Sequence, residues 1–205
     1  LYGCESLQNV DGLANLLNLT SLGLSSCISL QNVDGLANLP NLTSLELSYC
    51  DEVQPKPRNS RGLITISTRE EVAAYQTKIR LLMALRDADR DVLAAYRDVT
   101  SLDLSGCDLT NVDGLSNLAG LETLTLYSCD ALMNVDGLSG LASLETLDLS
   151  ECDSLTNVDG LANLENLAAL DLSKCTKVKP KPSPVHMTTG ESVSAYQKRI
   201  KKSMK

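Results

Sequence analysis

Hydrophobic residues recur along this chain with two different spacings. Leucines alternate with other residues in short pairs such as Leu22 and Leu24, the period of two that a β-strand with one buried face requires. After each pair, apolar residues return at every third position, as in Leu30, Val33 and Leu36. A period of three fits 3₁₀ turns better than an α-helix. The pattern therefore predicts short strands that alternate with 3₁₀ turns.

Both spacings belong to one repeated unit. The segment Asn-Val-Asp-Gly-Leu begins at Asn9, Asn32, Asn111, Asn134 and Asn157. The seven cysteines keep the same period, since successive cysteines are 23, 23, 57, 22, 23 and 23 residues apart. A unit this short cannot close a core alone, so its leucines become buried only when copies stack on one another. The repeats predict a solenoid whose parallel strands lie about 4.8 Å apart.

One full unit, from Leu19 to Leu42, resembles the leucine-rich repeats, with Cys27 at the position that is often Asn. The bacterial internalin-like subtype, which has 22-residue units, is the most similar, and the step from Cys107 to Cys129 has that length. The resemblance implies an α/β solenoid. Its features would be a curved, right-handed array, a parallel β-sheet on the concave face, 3₁₀ or irregular turns on the convex face, and α-helical caps or an insertion.

Two similar segments interrupt and end the repeats. Val53–Pro57 returns as Val178–Pro182, and each segment is followed by a pair with capping-box spacing, Ser67 with Glu70 and Thr188 with Glu191. A helix is expected after each pair. In the first helix the apolar stripe is Val72, Tyr75, Ile79 and Leu82, which suits a helix that covers the open end of a repeat stack.

These features predict four segments. They are a first repeat block at 1–53 that begins in mid-repeat, a Pro-containing linker with a helical cap or insertion at 54–98, a second repeat block at 99–178, and a linker with a capping helix at 179–205. A short helix near 92–96 would begin the second block. Capping is favoured, and the alternative is one continuous solenoid from which residues 54–92 project.

The cysteines and aspartates of the repeat have structural explanations. The seven cysteines, Cys4, Cys27, Cys50, Cys107, Cys129, Cys152 and Cys175, predict a column of inward-facing, reduced thiols that pack as small apolar groups. Reduced thiols favour a cytoplasmic or host-cytosolic setting. The five aspartates, Asp11, Asp34, Asp113, Asp136 and Asp159, are expected to form Asx-turns or N-caps, with their carboxylates accepting backbone N–H bonds.

No catalytic or metal constellation is expected. The chain has one histidine, His186, in a Pro-rich connection, and it has no Cys-x-x-Cys pair and no Gly-rich phosphate loop. The sequence therefore predicts a non-catalytic domain without cofactor or metal. No apolar stretch is long enough to cross a membrane.

The predicted binding site lies on the outward strand positions, which vary between repeats. Four of the six residues between the paired leucines are acidic, and the second block, residues 99–175, holds thirteen acidic residues and one lysine. Stacked like charges favour a basic partner, and tyrosines favour interaction hot spots. The predicted partner-binding residues are Glu46, Tyr49, Asp103, Thr125, Tyr127, Asp148, Glu151 and Asp171.

The sequence thus predicts a module that binds a protein or peptide on the concave face. The acidic repeats argue against a nucleic-acid partner. Two alternatives remain open: a structural spacer, and a recognition domain of a larger enzyme or signalling protein whose catalytic part lies outside this chain.

Overall fold

A computed structural model describes residues 1–57, 64–87 and 89–205. The chain divides into two compact units, Leu1–Met83 and Ala84–Lys205. Each unit contains stacked repeats made of a three-residue strand and a 3₁₀ turn. Nearly every repeat leucine is buried, and these leucines form the core of both units. The predicted fold class, an α/β solenoid of leucine-rich repeats, is confirmed.

The first unit contains two full repeat strands. β1 (Ser21–Gly23) and β2 (Ser44–Glu46) pair in parallel, and β3 (Thr65–Ile66) pairs antiparallel with β2. The 3₁₀ turns are Asp11–Leu13 and Asp34–Leu36. Helix α1 runs from Arg69 to Arg86, so the boundary between the units falls within it.

The second unit contains four parallel repeat strands. They are β4 (Ser101–Asp103), β5 (Thr123–Thr125), β6 (Thr146–Asp148) and β7 (Ala169–Asp171), and β8 (His186–Met187) pairs antiparallel with β7. The 3₁₀ turns are Asp113–Asn117, Asp136–Leu138 and Asp159–Leu161. Helix α2 (Arg90–Ala94) precedes the first strand, and helix α3 (Gly190–Ser203) follows the last.

The repeated asparagine, not the aspartate, forms the Asx-turn of each repeat. The side-chain oxygen of Asn32 accepts the backbone N–H of Asp34 at 2.7 Å, and Asn157 does the same for Asp159. The N-cap residue of each 3₁₀ turn is a valine, whose side chain makes no capping bond, and no aspartate carboxylate caps the turn that it begins. The expectation that the repeat aspartates accept these N–H bonds was therefore wrong for all five, Asp11, Asp34, Asp113, Asp136 and Asp159. Each aspartate is the first residue of its 3₁₀ turn, and its own backbone N–H is bound by the asparagine two positions earlier.

The glycine of the same motif is needed where one repeat stacks on the one before. A Cβ on Gly160 would lie 2.1 Å from the carbonyl oxygen of Val135, and one on Gly35 would lie 2.2 Å from that of Val10. No side chain fits such a gap. The close packing of successive 3₁₀ turns therefore explains why glycine recurs at this position of the motif.

Helices α1 and α3 are held by the same contacts in their own units. Tyr75 donates its hydroxyl hydrogen to the carbonyl of Pro55, and Tyr196 donates to that of Pro180, both at 2.6 Å. The Gln76 side chain donates to the carbonyls of Leu36 and Leu39 in the preceding repeat. In the same way, Gln197 donates to the carbonyls of Leu161 and Leu164. Each helix thus fastens to the last 3₁₀ turn of its unit and covers the leucines there.

Both helices begin one residue later than the predicted capping boxes. Thr68, not Ser67, accepts the N–H of Glu71, whose carboxylate accepts the N–H groups of both residues before the helix. In the second copy Thr189 accepts the N–H of Ser192. The antiparallel strands β3 and β8 were not expected, because two-residue strands carry almost no periodic signal.

Candidate functional site

The strand face of the second unit brings four predicted residues side by side. Asp103, Thr125, Asp148 and Asp171 occupy the last strand position and pair directly with one another across β4 to β7. All four are half-buried. In the first unit Glu46 holds the same position and pairs with Gly23. The repeat pattern therefore placed these side chains correctly in one row per unit.

Three residues beyond this row, every repeat turns through a left-handed residue. The φ angles are positive at Gly3, Ser26, Tyr49, Gly106, Ser128, Glu151 and Lys174, between 56° and 66°. Only two of the seven are glycine, although a side chain in this conformation costs about 1 kcal/mol. Tyr49 and Glu151, both predicted partner-binding residues, lie at this strained position.

Two tyrosines are exposed near this turn. Tyr127, which follows the second repeat strand of the second unit, is 39% exposed, and Tyr49 in the first unit is 51% exposed. Tyr127 lies in the turn directly after β5, two residues beyond Thr125. The equivalent residues of the neighbouring repeats are Ser105 and Ser150. An aromatic ring flanked by serines and aspartates suits the anchoring contact of a partner.

The aspartates have a structural role that sequence reasoning missed. The carboxylate of Asp148 accepts the backbone N–H of Ser150 at 2.8 Å and the hydroxyl of the same serine, and Asp103 does the same with Ser105. The sequence predicted only a partner-binding role for these side chains, whereas each carboxylate also holds the turn at the end of its strand. The recurring Asp-Leu-Ser signal could have shown this.

Asp171 is also paired with the single histidine. His186 lies opposite Asp171 in the register of β8 on β7, and its Nδ1 is 2.9 Å from a carboxylate oxygen. Burial raises the pKa of Asp171, but hydrogen bonds from Ser173 and the contact with His186 outweigh it and leave the pKa below its ordinary value. The sequence had suggested that the charge of Asp171 has no partner within the chain, but its carboxylate contacts both His186 and Ser173. His186 belongs to this face and was overlooked because it follows a Pro-rich segment.

Glu151 likewise contacts a cation of its own chain. Lys174, at the same left-handed position one repeat later, forms a salt bridge with the Glu151 carboxylate. Both side chains are near the surface, so the pair contributes little to stability. Its position at the edge of the strand face nevertheless makes Glu151 less available to a basic partner than the sequence implied.

The cysteines form a buried column of free thiols, with Cys4 partly exposed. Several thiols donate to the carbonyl of the strand-ending leucine one repeat earlier, as Cys50 does to Leu24 at 3.0 Å and Cys175 to Leu149 at 2.9 Å. Burial raises the pKa of Cys50. The thiol thus supplies a hydrogen-bond donor, as an asparagine could at this position. The prediction that the cysteines pack as small apolar groups did not include this hydrogen bond.

In the part of the chain that the structure describes, no group of three or more His, Cys, Asp or Glu side chains could hold a metal ion. Among the same residues, no helix is both long enough and apolar enough to span a membrane.

Residues 86–179 match the family model described as the endo-beta-N-acetylglucosaminidase EndoS LRR domain, in which LRR denotes leucine-rich repeat. The predicted resemblance to leucine-rich repeats is confirmed by this match. No curated protein matches the chain at a significant level.

Three solved structures are similar to this chain. Internalin C2 of Listeria monocytogenes is 22% identical, with 87% of this chain and 71% of that chain covered and a TM-score of 0.32. Internalin F of the same species is 18% identical, with 87% and 64% covered and a TM-score of 0.29. A leucine-rich-repeat protein of Leptospira interrogans is 15% identical, with 88% and 52% covered and a TM-score of 0.26. The chain spans less than two thirds of the last two proteins.

Proposed function

We propose that this leucine-rich-repeat chain is a protein-interaction module whose partner, a protein or peptide with basic side chains, binds on the strand face of the second unit. Stacked repeats present a continuous row of side chains that a partner can contact along its length. The chain needs no catalytic group for this role. The strand face here means the outward residues of β4 to β7 and the turn that follows each strand.

One observation carries the proposal: Tyr127 is exposed in the turn that follows β5, the strand that pairs with those of Asp103 and Asp148. A tyrosine offers a large contact area for little loss of rotamer entropy, which is why it is enriched at hot spots. Flanking carboxylates attract a basic partner and orient it. Asp103 and Asp148 lie on β4 and β6, the two strands that pair with β5, so they are the electrostatic candidates on either side of it.

The left-handed turn supports the same face. Tyr49 adopts a φ of 59°, a conformation that costs a bulky L-residue energy and that glycine adopts freely at Gly3 and Gly106. Strain of this kind occurs preferentially at functional positions. We infer that Tyr49, with Glu46 on the preceding strand, forms a corresponding contact surface on the first unit.

The test is a selection of peptides from a displayed random library on the intact chain, followed by calorimetry of the enriched peptides. Asp103→Asn and Asp148→Asn together keep an oxygen for the turn but remove both charges, so binding should weaken and its dependence on salt should flatten. The controls are Asn117→Ala and Asn163→Ala, which lie in or after the 3₁₀ turns, away from the strands.

Enriched peptides rich in lysine or arginine, with affinity lost in the strand-face variant and kept in the controls, would support the proposal. Loss of affinity in the Asn117 or Asn163 variant alone would place the site on the other side of the repeats. Equal binding by every variant would overturn the strand-face site, and a selection that enriches no peptide would favour the structural spacer.

A second candidate is the recognition domain of a larger enzyme. It is favoured by the family model, which describes the leucine-rich-repeat domain of an endo-beta-N-acetylglucosaminidase. Sequencing the gene on both sides of the segment that encodes this chain tests this candidate. A catalytic domain in the same reading frame would support the candidate, and the absence of such a domain would exclude it.

A further inference from the structure

The row of side chains on the strand face of the second unit continues past the last repeat strand. β8 pairs with β7 so that His186 lies opposite Asp171, and Asp171 lies opposite Asp148 on β6. His186 is exposed, whereas Met187, the other residue of β8, is buried. A residue that follows the repeats therefore occupies one end of the proposed binding surface.

His186 contacts one of the two oxygens of the Asp171 carboxylate. Its Nδ1 lies 2.9 Å from Oδ2, while Oδ1 accepts the backbone N–H of Ser173 at 2.8 Å. The side chain of His186 is 61% exposed and that of Asp171 is 24% exposed. The imidazole ring is the more accessible member of the pair, so a partner that approaches Asp171 meets the ring there.

The first unit shows that this strand pairing does not require a histidine. β3 pairs with β2 as β8 pairs with β7, and there the exposed Thr65 lies opposite Glu46. Both positions combine an outward residue of the added strand with an acidic residue of the last repeat strand. Threonine is enough to complete the edge of the first sheet, so the pairing alone does not explain the imidazole of His186.

The charged groups around His186 come from the elements packed against β8. β7 supplies Asp171, whose pKa lies below its ordinary value, so this carboxylate is ionised in mildly acidic solution. The turn after β7 carries Lys174, which forms a salt bridge with Glu151. Helix α3 carries Glu191 in its first turn, and its lysines begin about two turns later.

Two further titratable groups of this end of the unit, Cys175 and Tyr196, are buried on its core side. They remain the same in every variant described below, so they do not affect the comparison between variants.

Asp148 provides an internal comparison for Asp171. Its carboxylate accepts the N–H of Ser150 as Asp171 accepts that of Ser173, but among the residues that the structure describes it contacts no cation. Histidine is the side-chain type that ordinarily changes charge between about pH 5 and 8, and this chain has a single histidine. The charge at the Asp171 end of the row therefore depends on the protonation of one imidazole.

We propose that His186 makes binding on the strand face depend on pH, so that a basic partner binds more weakly in mildly acidic than in neutral solution. The inference rests on the proposed function, because it concerns a basic partner on that face. With a neutral imidazole the pair of His186 and Asp171 carries one negative charge. With an imidazolium the pair has no net charge, and the ring repels the cations of the partner.

The expected effect is small, because the pair is near the surface and water screens it. One charge of this kind should change the dissociation constant by about threefold. Binding of the partner and binding of the proton are reciprocally coupled. A threefold weaker affinity for the protonated form therefore requires that saturating partner lower the midpoint of the His186 titration by about 0.5 in pH.

The experiment uses the full chain and hexalysine with blocked termini, a probe whose charge is constant between about pH 5.5 and about 7.5. Calorimetry at both pH values in low salt gives the dissociation constant. Nuclear magnetic resonance of the single histidine gives its titration with and without the probe. His186→Asn keeps a hydrogen-bond donor for Asp171 without a charge, and His186→Lys supplies a permanent cation. Urea unfolding verifies that both variants fold.

The wild type should bind hexalysine about threefold more weakly at the lower pH, and the affinity of His186→Asn should not change with pH. At the higher pH, His186→Lys should bind about threefold more weakly than His186→Asn, because its cation is always present. A histidine that only fastens β8 to β7 would change the unfolding midpoint in urea and leave these ratios at one.

Three results would each overturn the proposal: equal affinity of the wild type at both pH values, the same pH dependence in His186→Asn, or a His186 titration that the probe does not shift. Binding at the higher pH without pH dependence would overturn this regulation alone and leave the strand-face proposal in place. Absence of binding by the wild type and both variants at the higher pH would instead count against both proposals.

Discussion

Replacing Tyr127 with alanine is the most direct perturbation of the proposed binding surface. About 200 Å² of a tyrosine side chain can be buried, and with 39% of the residue exposed about 80 Å² remains for a partner. At about 25 cal/mol per Å² this area contributes about 2 kcal/mol, which is about 30-fold in the dissociation constant. The Tyr127→Ala variant should therefore bind a selected peptide about 30-fold more weakly.

The assay is isothermal titration calorimetry of one selected peptide against the wild type and three variants. Much of Tyr127 is covered by its own chain, so Tyr127→Ala should also lower the free energy of unfolding by about 1 kcal/mol, too little to unfold the protein at room temperature. Tyr127→Phe keeps the contact area and should keep most of the affinity. Met133→Ala is the matched control, because Met133 is 53% exposed and lies in the segment before a 3₁₀ turn.

Unchanged affinity in Tyr127→Ala together with weaker binding in Met133→Ala would refute the reasoning, since the contact area would then lie away from the strands. A loss in Tyr127→Phe as large as that in Tyr127→Ala would show that the hydroxyl group, and not the ring area, makes the contact.

Further predictions concern the stability of the fold. Gln197→Ala removes two hydrogen bonds to repeat carbonyls and should lower the free energy of unfolding by about 2 kcal/mol in urea, and an unchanged midpoint would contradict the sealing role of α3. Thiol titration should find few reactive groups in the native protein and seven after denaturation without reductant, whereas a count of one would mean that the cysteines are oxidised. Burial raises the pKa of Tyr196 to about 12, which disfavours the phenolate in the folded state, so stability should fall as the pH rises from about 10 through 12, and Tyr196→Phe should remove this fall. The pKa of Asp171 is lowered in the fold, so its contribution should be complete above about pH 4 and disappear as the pH falls below that value, and an Asp171→Asn variant that keeps the same acid dependence would contradict this assignment.

The candidate site shows where sequence reasoning succeeds in a repeat protein. Residues at one repeat position must share one environment, so repeat position alone was enough to place Asp103, Thr125 and Asp148 in a row. The same reasoning identified the buried cysteine column. The domain boundaries predicted at 53, 98 and 178 stay a prediction.

What the sequence could not provide was the set of hydrogen bonds within each repeat. Asn157 and Asp159 both carry an oxygen near the same turn, and only the backbone geometry decides which oxygen faces the free N–H. The sequence predicted Asp148 only as a partner-binding residue, and its hydrogen bond with the Ser150 N–H depends on the turn at the end of the strand. These choices depend on differences of an ångström, which residue type and spacing do not specify.

The sequence by itself determined the solenoid, because a unit of 22 or 23 residues can bury its leucines only by stacking on its neighbours. It also determined that the two helical segments are copies of one another. Tertiary structure alone decided that His186 meets Asp171, because this contact depends on an antiparallel pairing of two residues with residues about fifteen positions earlier. A two-residue strand of this kind forms only when the edge strand of an existing sheet is available to pair with it, so the local sequence pattern does not predict it.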